Sequence, residues 1–215
     1  MNDVSQSETS APDTIRAGDA RRAPVRVPYV TRWSGEKDLD VPVVVRRGGR
    51  GVGFAHERAF DRELGVLWTR TVSEPGRGRP EFGKVHSLRQ RLAMGGLRCQ
   101  ICGGPADRNR DGVLWLLDAD AHELRRGDEL TAHPPVCVPC AHQSVRGCPH
   151  LRPAWVAVRV RSYALWGVLG VRYSSLGPEP VAVDTAQVRF GDPHLRWVRA
   201  HQLIASLGDF TVTDL

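Results

Sequence analysis

The sequence lacks long hydrophobic runs and has very little lysine. No apolar stretch approaches the roughly 20 residues that a membrane span requires, and the polar N-terminus lacks the apolar core of a secretory signal. We therefore expect no membrane partner and a cytoplasmic location. The chain has 215 residues, of which 41% are hydrophobic and 25% charged. This is enough to bury a core without disulfides, which excludes small disulfide scaffolds and collagen-like chains.

Lysine is replaced almost entirely by arginine. Lys37 and Lys84 are the only lysines among 30 basic residues, and the formal net charge is +6. The bias is typical of a GC-rich, bacterial-type genome, but guanidinium groups also suit bidentate binding of phosphate. DNA or RNA is therefore a candidate partner. The chain has no Walker loop, nucleophile elbow or dinucleotide fingerprint, so it shows no motif for a small-molecule cofactor.

Four of the five cysteines form two pairs with metal-ligand spacing. Cys99 and Cys102 make one C-x-x-C pair, and Cys137 and Cys140 make another after 34 intervening residues. Four thiolates in two such pairs are the usual closed ligand set of structural Zn²⁺. The spacing predicts one Zn²⁺ held by these four residues. A disulfide or redox pair and an iron–sulfur cluster are the alternatives.

The order of elements around the cysteines resembles a treble-clef zinc finger. CQICGG provides the zinc knuckle, GVLWLLD (112–118) a hairpin strand, and CVPCAHQSVRGC (137–148) the start of a ligand-bearing helix. The resemblance covers about a quarter of the chain and implies a fold and a metal, without implying a function.

Three further side chains near the cysteine pairs have open roles. Cys148 lies eight residues after Cys140 and is interpreted as an inert thiol, with ligand exchange as the alternative. His142 and His150 flank this region and are interpreted as surface or capping residues, although either is an alternative ligand.

Basic residues are concentrated just before the zinc knuckle. Residues 76–98 have a net charge of +5, whereas residues 99–140 have a net charge of −3. The two stretches would neutralise each other if they packed together. If the protein binds nucleic acid, we expect the contacts to come from the basic stretch: Arg77, Arg79, Lys84, Arg89 and Arg91.

Hydrophobic patterning predicts an α+β fold in which antiparallel sheet elements and short helices surround the zinc finger. We expect a short amphipathic helix over residues 85–94, ended by Gly95-Gly96, and a Pro/Gly loop over residues 73–83. A second helix is predicted to begin at Asp192-Pro193 and to end at Gly208. The chain divides into a disordered tail (1–24), a β-rich segment with a basic loop and short helix (25–98), the zinc finger (99–150), and a C-terminal segment of three strands and a helix (151–215).

The β-rich segment contains a glycine-rich run that has two interpretations. Residues 46–51 read RRGGRG and separate two short apolar runs, which favours a hairpin turn. The same letters resemble an RGG nucleic-acid-binding motif. The turn is the preferred interpretation.

Catalytic motifs that use similar residues do not fit. Some treble-clef proteins are HNH nucleases, but LLDADAHEL lacks their Asp-His pair and HPPV lacks their Asn. His122 is the only plausible general base. A zinc deaminase would need His-x-Glu and Pro-Cys-x-x-Cys, and both registers are wrong here. The run from Asp107 to Asp118 has calcium-loop spacing without flanking helices, so it is interpreted as a turn.

The leading hypothesis is therefore a non-enzymatic nucleic-acid-binding or regulatory protein with structural Zn²⁺. A protein-interaction or scaffold module with a protein partner is the alternative, and a degenerate HNH-like nuclease is the enzyme alternative. We expect no hydrolysis at the finger.

Overall fold

The computed structural model describes residues 26–119, 124, 129–174, 177 and 179–215. The predicted tail (1–24) and His122 lie outside the described residues. Two α-helices are seen in these ranges, α1 (Ser87–Gly95) and α2 (Val138–Gly147). The strands are β1 (Thr31–Trp33), β2 (Val43–Val45), β3 (Val52–Phe54), β4 (Arg62–Glu63), β5 (Val66–Trp68), β6 (Pro80–Val85), β7 (Arg108–Asn109), β8 (Gly112–Leu117), β9 (Glu129–Thr131), β10 (Val156–Val160), β11 (Tyr163–Tyr173), β12 (Ala182–Arg189), β13 (Val198–Leu207) and β14 (Phe210–Thr213).

Most strands belong to two sheets. The larger has the order β12-β11-β13-β5-β4, with β9 also pairing with β13, and the smaller has the order β14-β10-β8-β7. One hydrophobic cluster joins them, with Trp68 and Leu203 from the larger sheet and Trp115 and Val158 from the smaller. β1 pairs with β6, and β2 with β3, as separate ribbons.

The α+β class is confirmed, with one difference in the sheet. Expected antiparallel pairs dominate, but β13 pairs in parallel with β5 through Arg199 opposite Leu67. The sheet is therefore mixed. Strand pairing also joins segments that were predicted as separate. β5 of the β-rich segment pairs with β13 of the C-terminal segment, and β8 of the predicted finger pairs with β10 of the C-terminal segment.

The predicted C-terminal helix is wrong. Only a 3-10 helix, Pro193–Trp197, follows Asp192, whose side chain caps it by accepting the N–H of His194. The remaining residues form β13, which pairs with β11 on one side and with β5 and β9 on the other. Its central place in the sheet satisfies its backbone on both edges, and this tertiary pairing overrides a local helical pattern.

Helix α1 occurs where it was predicted, but several of its polar side chains are buried and two of its leucines are exposed. Leu88 and Leu92 are exposed, whereas Arg89, Gln90 and Arg91 are buried. Buried polar side chains need partners, and each of these three finds one on another element. Gln90, for example, exchanges hydrogen bonds with the backbone N–H and C=O of Leu203 on β13. The sequence pattern identifies the helix without identifying its buried face.

The Pro/Gly loop predicted over residues 73–83 is shorter than expected. Residues 80–85 form β6, which pairs with β1. Three residues, Phe82 to Lys84, bulge between the paired positions Glu81 and Val85. The bulge accommodates glycine and exposed side chains within a strand, which explains why the sequence resembled a loop.

Candidate metal centre

The first cysteine pair lies in a tight turn that the backbone closes by itself. The N–H of Cys99 donates to the carbonyl of Gly104, and the N–H of Gly103 donates to the carbonyl of Cys99. Gly103 has a φ of 74°, and a Cβ there would lie 2.9 Å from the ring of Tyr29. Both facts require glycine at this position, so the sequence CQICGG builds the turn locally.

The second pair lies at the start of α2. Cys137 is the N-cap residue, with extended backbone, and Cys140 occupies the first turn. Pro139 precedes Cys140 in that turn, where its missing N–H costs no helical hydrogen bond. The partial positive charge of a helix N-terminus favours thiolates at this position.

The four sulfurs converge on one point. The Sγ atoms of Cys99, Cys102, Cys137 and Cys140 all lie within 4.8 Å of one another, and those of Cys102 and Cys137 are 3.9 Å apart. A tetrahedral Zn²⁺ with Zn–S bonds of about 2.3 Å requires S–S distances of about 3.8 Å. The arrangement fits a metal ion, and it joins the two C-x-x-C pairs as the spacing predicted.

Protonation of the thiols depends on their burial and on nearby N–H groups. Burial raises the pKa of the Cys99 thiol and of the Cys140 thiol. Burial opposes ionisation of Cys102 as well, but a hydrogen bond from the backbone of Gly104 and the neighbouring thiols outweigh it and lower its pKa. Without metal, the buried thiols of Cys99 and Cys140 therefore keep their protons. Metal binding would release them, which makes affinity depend on pH.

The candidate alternative ligands lie outside this cluster. Each of the five cysteines is a free thiol, and Cys148 caps the C-terminus of α2 through its backbone N–H. His142 is half-buried on α2 and His150 is exposed, and neither belongs to the four-sulfur group. The roles predicted for these three residues stay predictions.

The turn also connects the N-terminal part of the described chain to the finger. The N–H groups of Tyr29 and Val30 donate to the carbonyls of Ile101 and Gln100, and the N–H of Gln100 donates to that of Pro135. The centre therefore organises backbone from three separate parts of the sequence.

The other side chains considered as metal ligands or catalytic groups lie apart from the cysteine cluster or form ion pairs. Asp107 forms an ion pair with Arg159, and His133 lies 4.0 Å from Asp118 at the surface. The cysteine group is the one cluster with metal-binding geometry among the residues that the structure describes. His122, the candidate base, and the deaminase-like positions around it lie outside those residues.

The predicted nucleic-acid-binding residues divide into two sets. Arg77, Arg79 and Lys84 are exposed, as expected. Arg77 forms an ion pair with Glu74, and Lys84 Nζ lies 2.9 Å from Glu81 Oε1. The neutralising carboxylates thus come from the β-rich segment itself.

Arg89 and Arg91 are buried, which contradicts their predicted role as phosphate contacts. Arg89 donates from both terminal nitrogens to the Glu36 carboxylate at 2.6 Å. Arg91 lies 2.8 Å from Glu63 Oε2 and stacks 4.5 Å from the ring centre of Trp68. A buried charge without a partner is costly, and each of these arginines is stabilised in its buried position by a carboxylate partner.

Glu36 is the functional group that sequence reasoning missed. It is fully buried and also accepts the backbone N–H groups of Trp33 and Glu74. Burial raises its pKa, but the hydrogen bonds from Arg89 and the backbone outweigh burial and hold the pKa at about 2. Its partner Arg89 is 53 residues away in sequence, and no local pattern connects them.

Comparisons with protein-family models, curated proteins and solved structures found no match to this chain. Among the described residues, no helix has the length and apolar character needed to cross a membrane. The candidate function therefore depends on the geometry of the chain itself.

Proposed function

We propose that this chain is a non-enzymatic, structural-zinc protein that binds nucleic acid. The observation that carries the metal part is the convergence of four sulfurs from two C-x-x-C pairs. Catalytic zinc keeps a coordination position open for water or substrate, whereas four thiolates close the tetrahedron. The thiols of Cys99 and Cys140 are also buried. A structural role for the ion follows from both features.

The finger is best described as a treble-clef type. A knuckle (99–104) precedes the β7–β8 hairpin, and α2 then supplies Cys137 and Cys140 from its first turn. This order of elements supports the proposal. The order by itself carries no statement about the activity.

Nucleic-acid binding is supported by exposed arginines that have no carboxylate partner among the residues that the structure describes. Arg79 in the predicted basic loop is one, and the net charge of +6 gives the chain an excess of such groups. The interaction would be with phosphate, and its affinity would fall steeply with salt. Binding of a fluorescein-labelled DNA or RNA oligonucleotide, followed by anisotropy across a salt series, tests it. Absence of binding at low salt would exclude this part.

A protein-interaction role is the second candidate, and α1 favours it. Leu88 and Leu92 lie one turn apart on an exposed helix face, an arrangement that suits an apolar partner surface. A stable protein partner that is lost in Leu88→Ser/Leu92→Ser, together with no affinity for oligonucleotides, would favour this candidate over the first.

Metal content tests the zinc, and nicking assays test the absence of catalysis. We expect about one Zn²⁺ per chain in protein purified without chelators. We expect no cleavage of plasmid DNA with Mg²⁺, Mn²⁺ or Ni²⁺, because the metal centre offers no open coordination site. Reproducible nicking that His122→Ala abolishes, with zinc retained, would establish the nuclease alternative instead.

A further inference from the structure

The turn between β2 and β3 presents arginines that nothing in the described chain neutralises. Arg47 and Arg50 are exposed, and no carboxylate oxygen of the described residues lies within ion-pair distance of either. The backbone closes the turn, with the N–H of Arg46 donating to Gly51 and the N–H of Gly49 donating to Arg46. Gly48 and Gly49 adopt φ values of 72° and 66°, so the RRGGRG run forms the predicted turn.

A third arginine is brought to this turn from the far end of the sequence. Gly51 has a φ of 102°, and a Cβ there would lie 2.1 Å from the carbonyl oxygen of Arg196 and 2.8 Å from its Cβ. The close approach excludes a side chain at this position. Arg196 is exposed at the end of the 3-10 helix that replaces the predicted C-terminal helix. Sequence reasoning could not place it beside the turn.

Two of these guanidinium groups are held in position by hydrogen bonds to backbone carbonyls three residues earlier in the chain. The Nε of Arg50 donates to the carbonyl of Arg47 at 3.2 Å, and the Nε of Arg196 donates to that of Pro193 at 3.0 Å. Each bond fixes the stem and leaves the two terminal nitrogens without a partner among the described residues. A guanidinium fork held this way loses less conformational entropy when it binds a phosphate.

Two clefts lie beside the residues of the Gly51–Arg196 contact: Arg196 lines one, and Arg50, the neighbour of Gly51, lines the other. A cleft of about 520 Å³ is lined on one side by Arg47, Arg50 and Phe54. A second cleft of about 350 Å³ is lined by Arg196 and Trp197. Because Gly51 contacts Arg196, the cleft lined by Arg50 and the cleft lined by Arg196 belong to adjoining surface, which we call the track.

Acidic groups near the track are already paired. Glu57 lines the larger cleft and is held by Arg62, with Nε and Oε1 2.6 Å apart. Asp184 forms an ion pair with Arg172 at the smaller cleft, and Asp192 is hydrogen-bonded to the backbone N–H and the ring of His194. The uncompensated charge at the track is therefore positive, which suits an anionic chain.

We propose that Arg47, Arg50 and Arg196 form the face that contacts the phosphate backbone of a nucleic acid. The inference rests on the proposed nucleic-acid binding and assigns it to this face instead of to residues 76–98. The contrast in ion pairing supports the choice, because Arg77, Lys84, Arg89 and Arg91 each have a glutamate partner, and within residues 76–98 only Arg79 and Arg98 have none among the described residues. Guanidinium contacts to phosphate carry no base specificity, so binding should be insensitive to sequence.

The test compares three variants of the full, zinc-loaded chain by anisotropy with a short fluorescein-labelled DNA. The first neutralises the face with Arg47→Gln/Arg50→Gln/Arg196→Gln. The matched control removes the same charge from three other exposed arginines that lack carboxylate partners among the described residues: Arg108→Gln, Arg146→Gln and Arg152→Gln. The third variant is Arg77→Gln/Arg79→Gln in the basic loop.

We expect the face variant to bind at least about tenfold more weakly and its salt slope to fall by about one for each arginine that contacts phosphate. The control and loop variants should bind within about threefold of wild type. An equal loss of affinity in the control variant would mean that net charge alone determines binding, and would overturn the inference. Loss only in Arg77→Gln/Arg79→Gln would overturn it while leaving the proposed function intact. Failure of the wild type to bind would overturn both.

Discussion

Two side-chain clusters lie against the same backbone segment, residues 29–31, and are held together by different chemistry. On one side the zinc knuckle accepts the N–H groups of Tyr29 and Val30. On the other side Nε and Nη2 of Arg89 donate to the carbonyls of Tyr29 and Thr31, and both terminal nitrogens donate to the Glu36 carboxylate. The first cluster has the geometry of a metal site, whereas in the second each charge has its partner within the chain.

The difference shows what each cluster can contribute to stability. Binding of a structural Zn²⁺ has an apparent free energy of about 10–16 kcal/mol that is also folding energy. A buried ion pair is close to neutral overall, because desolvation offsets attraction, yet breaking one partner costs about 3–5 kcal/mol. The metal centre should therefore determine whether the predicted finger folds. The Glu36–Arg89 pair should determine how residues 29–36 pack against helix α1.

The largest expected effect comes from removing one zinc ligand. Cys137→Ser should lose the metal and much of the fold around it, because three thiolates no longer close the tetrahedron. Zinc content by atomic emission, together with circular dichroism, measures both changes. The matched control is Cys148→Ser at the C-terminal end of the same helix, outside the four-sulfur group, which should keep metal and fold.

The reverse outcome would contradict the assignment of the ligands. If Cys148→Ser loses zinc while Cys137→Ser retains it, the ion is held by a different set. Addition of a strong chelator to wild type should reproduce the Cys137→Ser phenotype, since both leave the cysteine cluster without metal.

The next effect tests the buried ion pair. Glu36→Gln leaves the Arg89 charge buried without its carboxylate, so unfolding free energy should fall by about 3–5 kcal/mol. For a chain of this size, each kcal/mol lowers the melting temperature by about 2–4 °C, so the fall should be roughly 6–20 °C. Zinc content should stay near one per chain, because no ligand is changed. A melting temperature within experimental error of wild type would show that Arg89 does not depend on Glu36.

Acid should weaken the same pair in a defined pH window. The pKa of Glu36 is held at about 2, below its ordinary value of 4.5. A carboxylate with a depressed folded pKa stabilises the fold fully above its unfolded pKa, and this contribution disappears as pH falls from about 4.5 towards 2. The stability difference between wild type and Glu36→Gln should therefore be constant near neutrality and shrink across that window.

The difference in stability between wild type and Glu36→Gln separates the titration of Glu36 from loss of metal. Acid protonates the cysteine ligands in both proteins equally, so zinc release cancels in the comparison. Denaturant unfolding at several pH values gives the required free energies. A difference that stays constant down to pH 2 would mean that the Glu36 pKa is not depressed.

The two clusters also differ in how far the sequence could reveal them. The ligands of the metal centre lie in two short motifs whose spacing alone predicts the site, and the structure confirms their convergence. Helix α1 and the strand over residues 112–118 were also predictable, because each depends on local periodicity and on glycine or proline stops.

The features that were missed depend on contacts between distant residues. Glu36 and Arg89 are 53 positions apart, and nothing near either residue indicates the pair. The helix predicted after Asp192 became β13 because pairing on both edges outweighs its local pattern. The buried face of α1 was likewise reversed by partners such as Glu36 and Leu203, which no window of local sequence contains.

The smallest expected effect comes from breaking an exposed ion pair in the same basic stretch. Lys84 Nζ lies 2.9 Å from Glu81 Oε1, and the Lys84 side chain is 59% exposed. Water and salt screen such a pair, and ordering two long side chains costs entropy, so it contributes about 0.2–1 kcal/mol. Glu81→Gln should therefore lower the unfolding free energy by no more than that, and the loss should vanish in high salt. Urea unfolding at low and high salt measures it beside Glu36→Gln. A loss for Glu81→Gln as large as that for Glu36→Gln would mean that burial does not distinguish the two pairs.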